Sequence, residues 1–295
     1  MLYNEKLTYA EIYQWGREEL SSAGIEEAGM NARLLLEWCC GTDRNTLLAH
    51  GDRPVSVKEY EQYEDCIIRR KSCIPLQYIT GEQEFMGMTY TVNKNVLIPR
   101  QDTEVLVEEV MRHLHDGMRI LDMCTGSGCI LLSLLRYSND CTGVGVDISK
   151  EALWVARENA DRILGAQAME RQQVVLMQGN LFEALEKSDE KDKFDIIVSN
   201  PPYIKTSVIE SLMPEVREHE PRLALDGRDD GLFYYREIIS KAGRFLAGGG
   251  MLFFEIGYDQ GEEVCRMMRE ADYINIEVIK DFAGLDRVVC GGSHV

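Results

Sequence analysis

The chain reads as an α/β protein: a mostly parallel sheet covered by helices on both faces, closed by an antiparallel pair, and preceded by a small helical region. Three observations predict this. From Met118 onward, segments of strand character alternate with segments of helical periodicity, as in a parallel sheet with helical crossovers. Between Thr8 and about Ser72 the periodicity is helical. The last two strand candidates leave no room for a helix between them, so they pair as a hairpin at one edge.

Taken in order, Thr8-x-x-Glu11 and Ser56-x-x-Glu59 are capping boxes, each opening a segment with apolar residues at helix spacing. Ile12, Trp15 and Leu20 line one helix face; Ala28, Ala32, Leu35, Leu36 and Cys39 line a second, stopped by Gly41; Tyr60, Tyr63 and Ile67 mark a third. Nothing here is catalytic in type, so a bundle packed on itself is the plain reading and substrate docking the functional one. From Pro75 to Arg100 the texture changes: Gly81 and Gly87 punctuate it and Met88 to Val92 alternates, which predicts a β-hairpin. Asp102 is expected to cap a helix carrying Val105, Leu106, Glu109 and Val110. Seven strands follow, at 119–123, 142–147, 173–178, 194–199, 250–256, 274–279 and 285–290, with helices near 129–137, 150–164, 232–246 and 260–271. The charged run 187–193 reads as a solvated linker. The expected regions are a helical docking domain over 1–74, a hairpin connector over 75–101 and the main domain over 102–295.

Composition narrows the partners. Across 295 residues, 32 basic side chains face 50 acidic ones, a net charge of −18 with no basic arm hidden in either part. The compact basic cluster is Arg69-Arg70-Lys71, so direct nucleic-acid binding is not expected. Apolar runs such as Ile130 to Leu135 fall far short of the ~18 residues of a membrane span, and Met1 to Lys6 lacks a secretory leader's basic start and apolar core. Nine cysteines, an odd number without a C-x-x-C pair, read as reduced thiols in a cytoplasmic chain, and no metal site is expected.

Chemistry concentrates at four strand ends. The first runs into Cys124-Thr125-Gly126-Ser127-Gly128, whose glycines permit a tight turn and close ligand approach. Leu131 stands where a dinucleotide fingerprint wants its third glycine, so a nucleoside without phosphate fits better, with a cationic amino-acid tail near Asp122. Asp147 ends the second strand about twenty residues on, where a carboxylate can accept both ribose hydroxyls; a helix N-cap is the competing role, which Ser149 could fill. After the third strand, Asn180 can meet an adenine edge while Leu181 or Phe182 packs on the ring or in the core. The fourth strand leads into Asn200-Pro201-Pro202-Tyr203. Two prolines stiffen that turn and offer carbonyls without N–H groups. Asn200 Oδ1 and the Pro201 carbonyl can receive both hydrogens of a planar NH₂, with Tyr203 as a flat face.

These residues resemble class I S-adenosylmethionine-dependent amino-group methyltransferases. Further segments are similar to one branch, the HemK/PrmC peptide chain release factor glutamine methyltransferases. They are Pro75 to Gly81, Ile98 to Glu104, Gly145 to Ser149, Glu220 to Leu225, Asp230-Gly231-Leu232 and Gly284 to Arg287. The resemblance implies a Rossmann-like seven-stranded sheet and methyl transfer to the glutamine amide of a release factor's Gly-Gly-Gln loop. S-adenosyl-L-homocysteine would be the product. Cys124 to Gly128, Asp147, Asn180, Leu181 and Asn200 would touch the cofactor, and Asn200 to Tyr203 would hold the glutamine. Arg100, Asp102 and Glu104 are candidate ordering groups near the cofactor tail, with helix-start electrostatics as their other explanation. The family pattern is departed from at Cys124 and Arg228, where glycine is common, at Gln101 for proline and at Asn180 for aspartate. A monomer is expected. The rival readings are a methyltransferase for exocyclic amines of adenine or guanine in nucleic acid, and a cofactor-binding regulator without turnover.

Overall fold

A computed structural model describes residues 7–186 and 193–294, so the linker expected over 187–193 lies, but for Lys193, outside the described residues. The chain divides into two compact units, one of residues 1–81 with 213–219, the other of 82–212 with 220–295. The connector expected over 75–101 is therefore split: its first turn joins the helical unit and its hairpin joins the larger one.

The first unit holds α1 (Tyr9–Ser22), α2 (Ala28–Cys40), α3 (Arg44–Ala49), α4 (Val57–Lys71) and α5 (Leu76–Thr80). Both capping boxes form as expected, Thr8 with Glu11 and Ser56 with Glu59. Ile12, Leu20, Ala32, Leu35, Leu36, Tyr63 and Ile67 close a dry core, and Trp15 meets Tyr63 edge-on at 6.1 Å between ring centroids. Arg70 is buried and donates to Asn31 Oδ1 (2.8 Å), the Ile74 carbonyl (3.1 Å) and Glu215 (2.5 Å).

The second unit opens with the hairpin β1 (Glu82–Phe85) and β2 (Met88–Thr91). Met86 and Gly87 both have positive φ (50° and 67°), the turn that suits a two-residue hairpin. Next come α6 (Gln101–His113), β3 (Arg119–Met123), α7 (Cys129–Tyr137), β4 (Thr142–Asp147), α8 (Lys150–Leu164), β5 (Val174–Gln178), α9 (Glu183–Glu186) and β6 (Phe194–Ser199). They are followed by α10 (Thr206–Ile209), α11 (Pro214–His219, in the first unit), α12 (Arg222–Leu225), α13 (Phe233–Ala242), β7 (Leu246–Glu255), α14 (Gly261–Glu270), β8 (Ile274–Lys280) and β9 (Asp286–Gly292). Arg100 occupies the N-cap position of α6 without a side-chain cap, and Asp102 sits in its first turn, which corrects the expected cap.

The seven-stranded sheet runs β5-β4-β3-β6-β7-β9-β8. Strands β3 to β7 pair in parallel, while β9 lies antiparallel to both β7 and β8 at one edge. The strand order turns back between β4 and β6, on either side of β3, and such a switch point opens a crevice at the carboxyl ends of the strands. Alternation sends Leu121, Met123, Ile197 and Phe254 into a core under α13 and α14, and Ile120, Val198 and Phe253 into one under α6, α7 and α8.

Candidate active site

The turn after β3 begins at the switch point. Gly126 and Gly128 take φ of 55° and 79°, conformations that only glycine adopts freely. Cys124 takes φ 65° and Arg228 takes φ 71°, so two positions where the family commonly has glycine keep a left-handed backbone here with a side chain attached. The Thr125 N–H donates to the Val146 carbonyl (3.0 Å), and Asn159 Nδ2 donates to the Ser127 carbonyl (2.9 Å). Gly126 N–H and Ser149 N–H, both at 2.9 Å, donate to the two carboxylate oxygens of Asp147. Each oxygen keeps a lone pair free for a further hydroxyl donor. Burial holds the Asp147 carboxyl above its usual range, against these backbone N–H groups.

The second turn is tied to the first: Ser199 Oγ donates to the Met123 carbonyl at 2.6 Å, joining the ends of β6 and β3. Beyond it the backbone is clamped. Ile204 N–H donates to the Leu225 carbonyl (3.0 Å) and Gly227 N–H to the Ile204 carbonyl (2.8 Å). A Cβ on Gly227 would come within 2.7 Å of Tyr203 Cα, so the two segments touch backbone to backbone. Gln260 Nε2 donates to the carbonyls of Tyr203 (3.0 Å) and Gly231 (3.2 Å), while its Oε1 accepts from Gly257 N–H (2.9 Å) and Tyr235 Oη (3.3 Å). This buried amide has all its hydrogen-bonding capacity used.

One cavity of the second unit, about 1020 Å³ with its mouth included, brings together Cys124, Thr125, Gly126, Ser127, Asp147, Asn180, Leu181, Asn200 and Pro202. The remaining expected residues are not among those that line it. Gly128 starts α7, Pro201 is buried, and Tyr203 is half-buried with its hydroxyl donating to Glu255 Oε1 at 3.2 Å. Leu181 rather than Phe182 faces the cavity; Phe182 stacks on Phe245 at 4.7 Å in the core.

Two expectations are corrected. Asp122 is not among the lining residues: it is fully buried and accepts from Thr125 Oγ1 at 2.6 Å, so it orders the loop from behind instead of meeting a cationic tail. Burial pushes its carboxyl up to about 7. Arg100, Asp102 and Glu104 also lie off the lining, engaged with Glu220, with Arg287 (3.1 Å) and with Met86 N–H (2.6 Å) respectively.

Sequence reasoning gave no site role to the wall formed by Asn95 to Leu97, Pro99 and Thr103, nor to that of Pro221, Leu223, Ala224 and Tyr234. The family-like segments at Ile98 to Glu104 and Glu220 to Leu225 were the available signal. Buried Glu220 joins them, accepting from Ile98 N–H at 3.3 Å and from Arg100.

Comparison with known proteins agrees with this geometry. Residues 11–81 match the family model described as the PrmC N-terminal domain, and residues 114–277 match a methyltransferase domain. The chain is similar to the release factor glutamine methyltransferase of Geobacter sulfurreducens, at 42% identity over 96% of both chains. It is similar also to that of Caulobacter vibrioides, at 41% over 97% of this chain and 96% of the relative. A methyltransferase crystal structure from Pyrococcus furiosus shares the fold, with a TM-score of 0.51 and 14% identity over 72% of this chain and 91% of the other. By sequence along nearly its whole length, this chain belongs to the release factor glutamine methyltransferase family.

Proposed function

We propose that this chain methylates the side-chain amide nitrogen of the glutamine in a release factor's Gly-Gly-Gln loop, using S-adenosylmethionine. The observation that carries the reading is the meeting, in one cavity, of the Asp147 carboxylate and the Asn200 side chain, on strand ends tied together by Ser199. The donor and acceptor set fits such a cofactor: a carboxylate with lone pairs to spare for ribose, Leu181 against a base, and, among the described residues that line the cavity, no cation for phosphate. When bound, the cofactor supplies a methyl group already activated on a sulfonium.

The residues then have a positioning task, because an amide nitrogen is a poor nucleophile whose lone pair is delocalised. Asn200 Oδ1 accepts one amide hydrogen and the Pro201 carbonyl accepts the other. Both bonds strengthen as the nitrogen becomes positive, so they favour the transition state over the ground state. Tyr203 packs on the flat amide. Asp147 orients the ribose, and Asn180 with Leu181 takes the adenine. The helical unit helps dock the release factor, and the chain acts as a cytoplasmic monomer without binding nucleic acid directly. No helix among the described residues is long and apolar enough to cross a membrane.

The test is incubation with methyl-labelled S-adenosylmethionine and either a purified release factor or total nucleic acid. Label is expected on the Gly-Gly-Gln peptide of the factor; label in nucleic acid alone would overturn the assignment. Asn200→Ala is expected to cut kcat by roughly 10²–10³-fold, as for loss of one transition-state hydrogen bond, while calorimetry still detects cofactor binding. Unchanged turnover would remove Asn200 from the mechanism.

A further inference from the structure

Asn159, in α8, is 0% exposed and does not line the cavity. It stands seven residues after Ala152, which does line it, so the two share a helix face. All the hydrogen bonds of its amide go to backbone. Oδ1 accepts from the Thr91 N–H at 2.7 Å, while Nδ2 donates to the Thr91 carbonyl at 3.0 Å and to the Ser127 carbonyl at 2.9 Å. Both amide hydrogens are used, and the orientation is fixed. Turned over, the NH₂ would meet an N–H and the oxygen would meet two carbonyls.

The two segments held in this way both reach the cavity. Ser127 belongs to the turn after β3, whose Thr125 and Gly126 line it too. Thr91 ends β2, and beyond it Asn93 closes a turn, its Oδ1 accepting from Asn95 N–H (2.9 Å) and its carbonyl from Val96 N–H (3.1 Å). That turn brings Asn95, Val96 and Leu97 into another stretch of the lining. Tyr90 adds a second hold: its hydroxyl lies 2.8 Å from Ser133 Oγ and donates at 3.3 Å to the carbonyl of Cys129, the first residue of α7. Glycines let the loop after β3 turn, yet they do nothing to keep it in one shape. The stiffness has to come from neighbours, and β2 with Asn159 supplies it.

Resting on the cofactor reading above, we infer that Asn159 is a positioning residue for S-adenosylmethionine: it fixes the glycine loop against the strand end that feeds residues 95–97. Two parts of the lining are thereby set before the ligand enters, which lowers the ordering cost of binding. The role needs one acceptor and two donors at one point. A carboxylate of the same shape has no hydrogen to give, and alanine leaves three buried backbone groups unpaired.

Asn159→Ala and Asn159→Asp are each expected to raise the Kd for S-adenosylhomocysteine, read by calorimetry, roughly tenfold or more. With a release factor as substrate, KM for S-adenosylmethionine rises alike, while kcat at saturating cofactor and KM for the factor stay within about twofold, as for lost uniform binding. Glu158→Ala, which removes only the exposed bond to the Thr91 hydroxyl (3.3 Å), leaves the Kd unchanged. A lower melting temperature and fewer binding sites per chain, with the Kd of those sites unchanged, would mean a merely structural role and overturn the inference.

A second arm uses the wild-type protein alone. Saturating S-adenosylhomocysteine is expected to slow hydrogen exchange of the Thr91 amide at least about fivefold, while amides of the edge strand β8 keep their rates. No change at Thr91 on binding would refute the coupling. Failure of the wild type to bind S-adenosylhomocysteine would sink the cofactor reading and this inference with it. Binding without methylation of any release factor would remove the substrate assignment and leave the role of Asn159 standing.

Discussion

The two units differ in where their perturbed acids lie. In the helical unit, acids near the surface are served by partners: the Lys71 ammonium holds Glu19 below the usual carboxylate range, and the Thr46 N–H does the same for Asp43. Its buried polar side chains among the described residues, Asn31 and Arg70, are bonded to each other and tie helices together. In the larger unit, three acids at the carboxyl ends of β3, β4 and β7 are pushed the other way: Asp122, Asp147 and Glu255 are all raised by burial. Desolvated acids cost stability. Of the three, Asp147 lines the cavity while Asp122 and Glu255 do not; acids raised by burial at strand ends are the pattern expected beside a functional site, whereas Asn31 and Arg70 of the helical unit are bonded to each other.

The sharpest test of that contrast is Asp122→Asn. The wild-type carboxyl, raised to about 7, favours the proton in the folded chain. Its stabilisation is therefore full below the ordinary pKa of about 4 and is lost as pH rises through about 7. Relative to the variant, wild type should lose up to roughly 4 kcal/mol between pH 4 and 8, at about 1.4 kcal/mol per unit. Urea unfolding of both proteins across that range checks it, and parallel curves would erase the distinction drawn between the units.

Next in size, Arg70→Met strands the acceptors on Asn31, Ile74 and Glu215 and should cost about 3 kcal/mol, as for a broken buried pair. Amide exchange should quicken in α2 and α4 while β3 and β6 keep their protection. Asp147→Asn should weaken cofactor binding about 10- to 100-fold, the worth of charge-assisted bonds, with little change in melting temperature; titration calorimetry and a thermal melt separate the two. Smallest is Arg228→Gly, which relieves a left-handed backbone and should stabilise by about 1 kcal/mol. A loss of that size in the melt would mean that the side chain, 6.0 Å above Phe233, contributes more than the strain costs.

Legibility followed locality. Strands 119–123, 142–147 and 194–199 were read to the residue, because each is a short apolar run bounded by a turn. The capping boxes and the left-handed stop at Gly41 were equally plain. The short helices between 206 and 225 were not anticipated, since four to six residues carry no period. The far cavity wall stayed hidden for another reason: Glu220 meets Ile98 across 122 residues of chain, a pairing no local pattern encodes. Asp122 and Asp147 look alike as strand-end acids, and only the third dimension turns one toward Thr125 and the other toward the cavity.

The helical unit is finished by a segment borrowed from far along the chain, with Glu215 answering Arg70 and His219 bonded to the Ser72 carbonyl at 2.9 Å. On a growing polypeptide those partners arrive roughly 7 to 28 seconds after the first 81 residues, at ordinary synthesis rates of about 5–20 residues per second. Until then the Arg70 guanidinium has a half-built berth. The helical unit thus cannot complete its own assembly until residues 213–219 have been made.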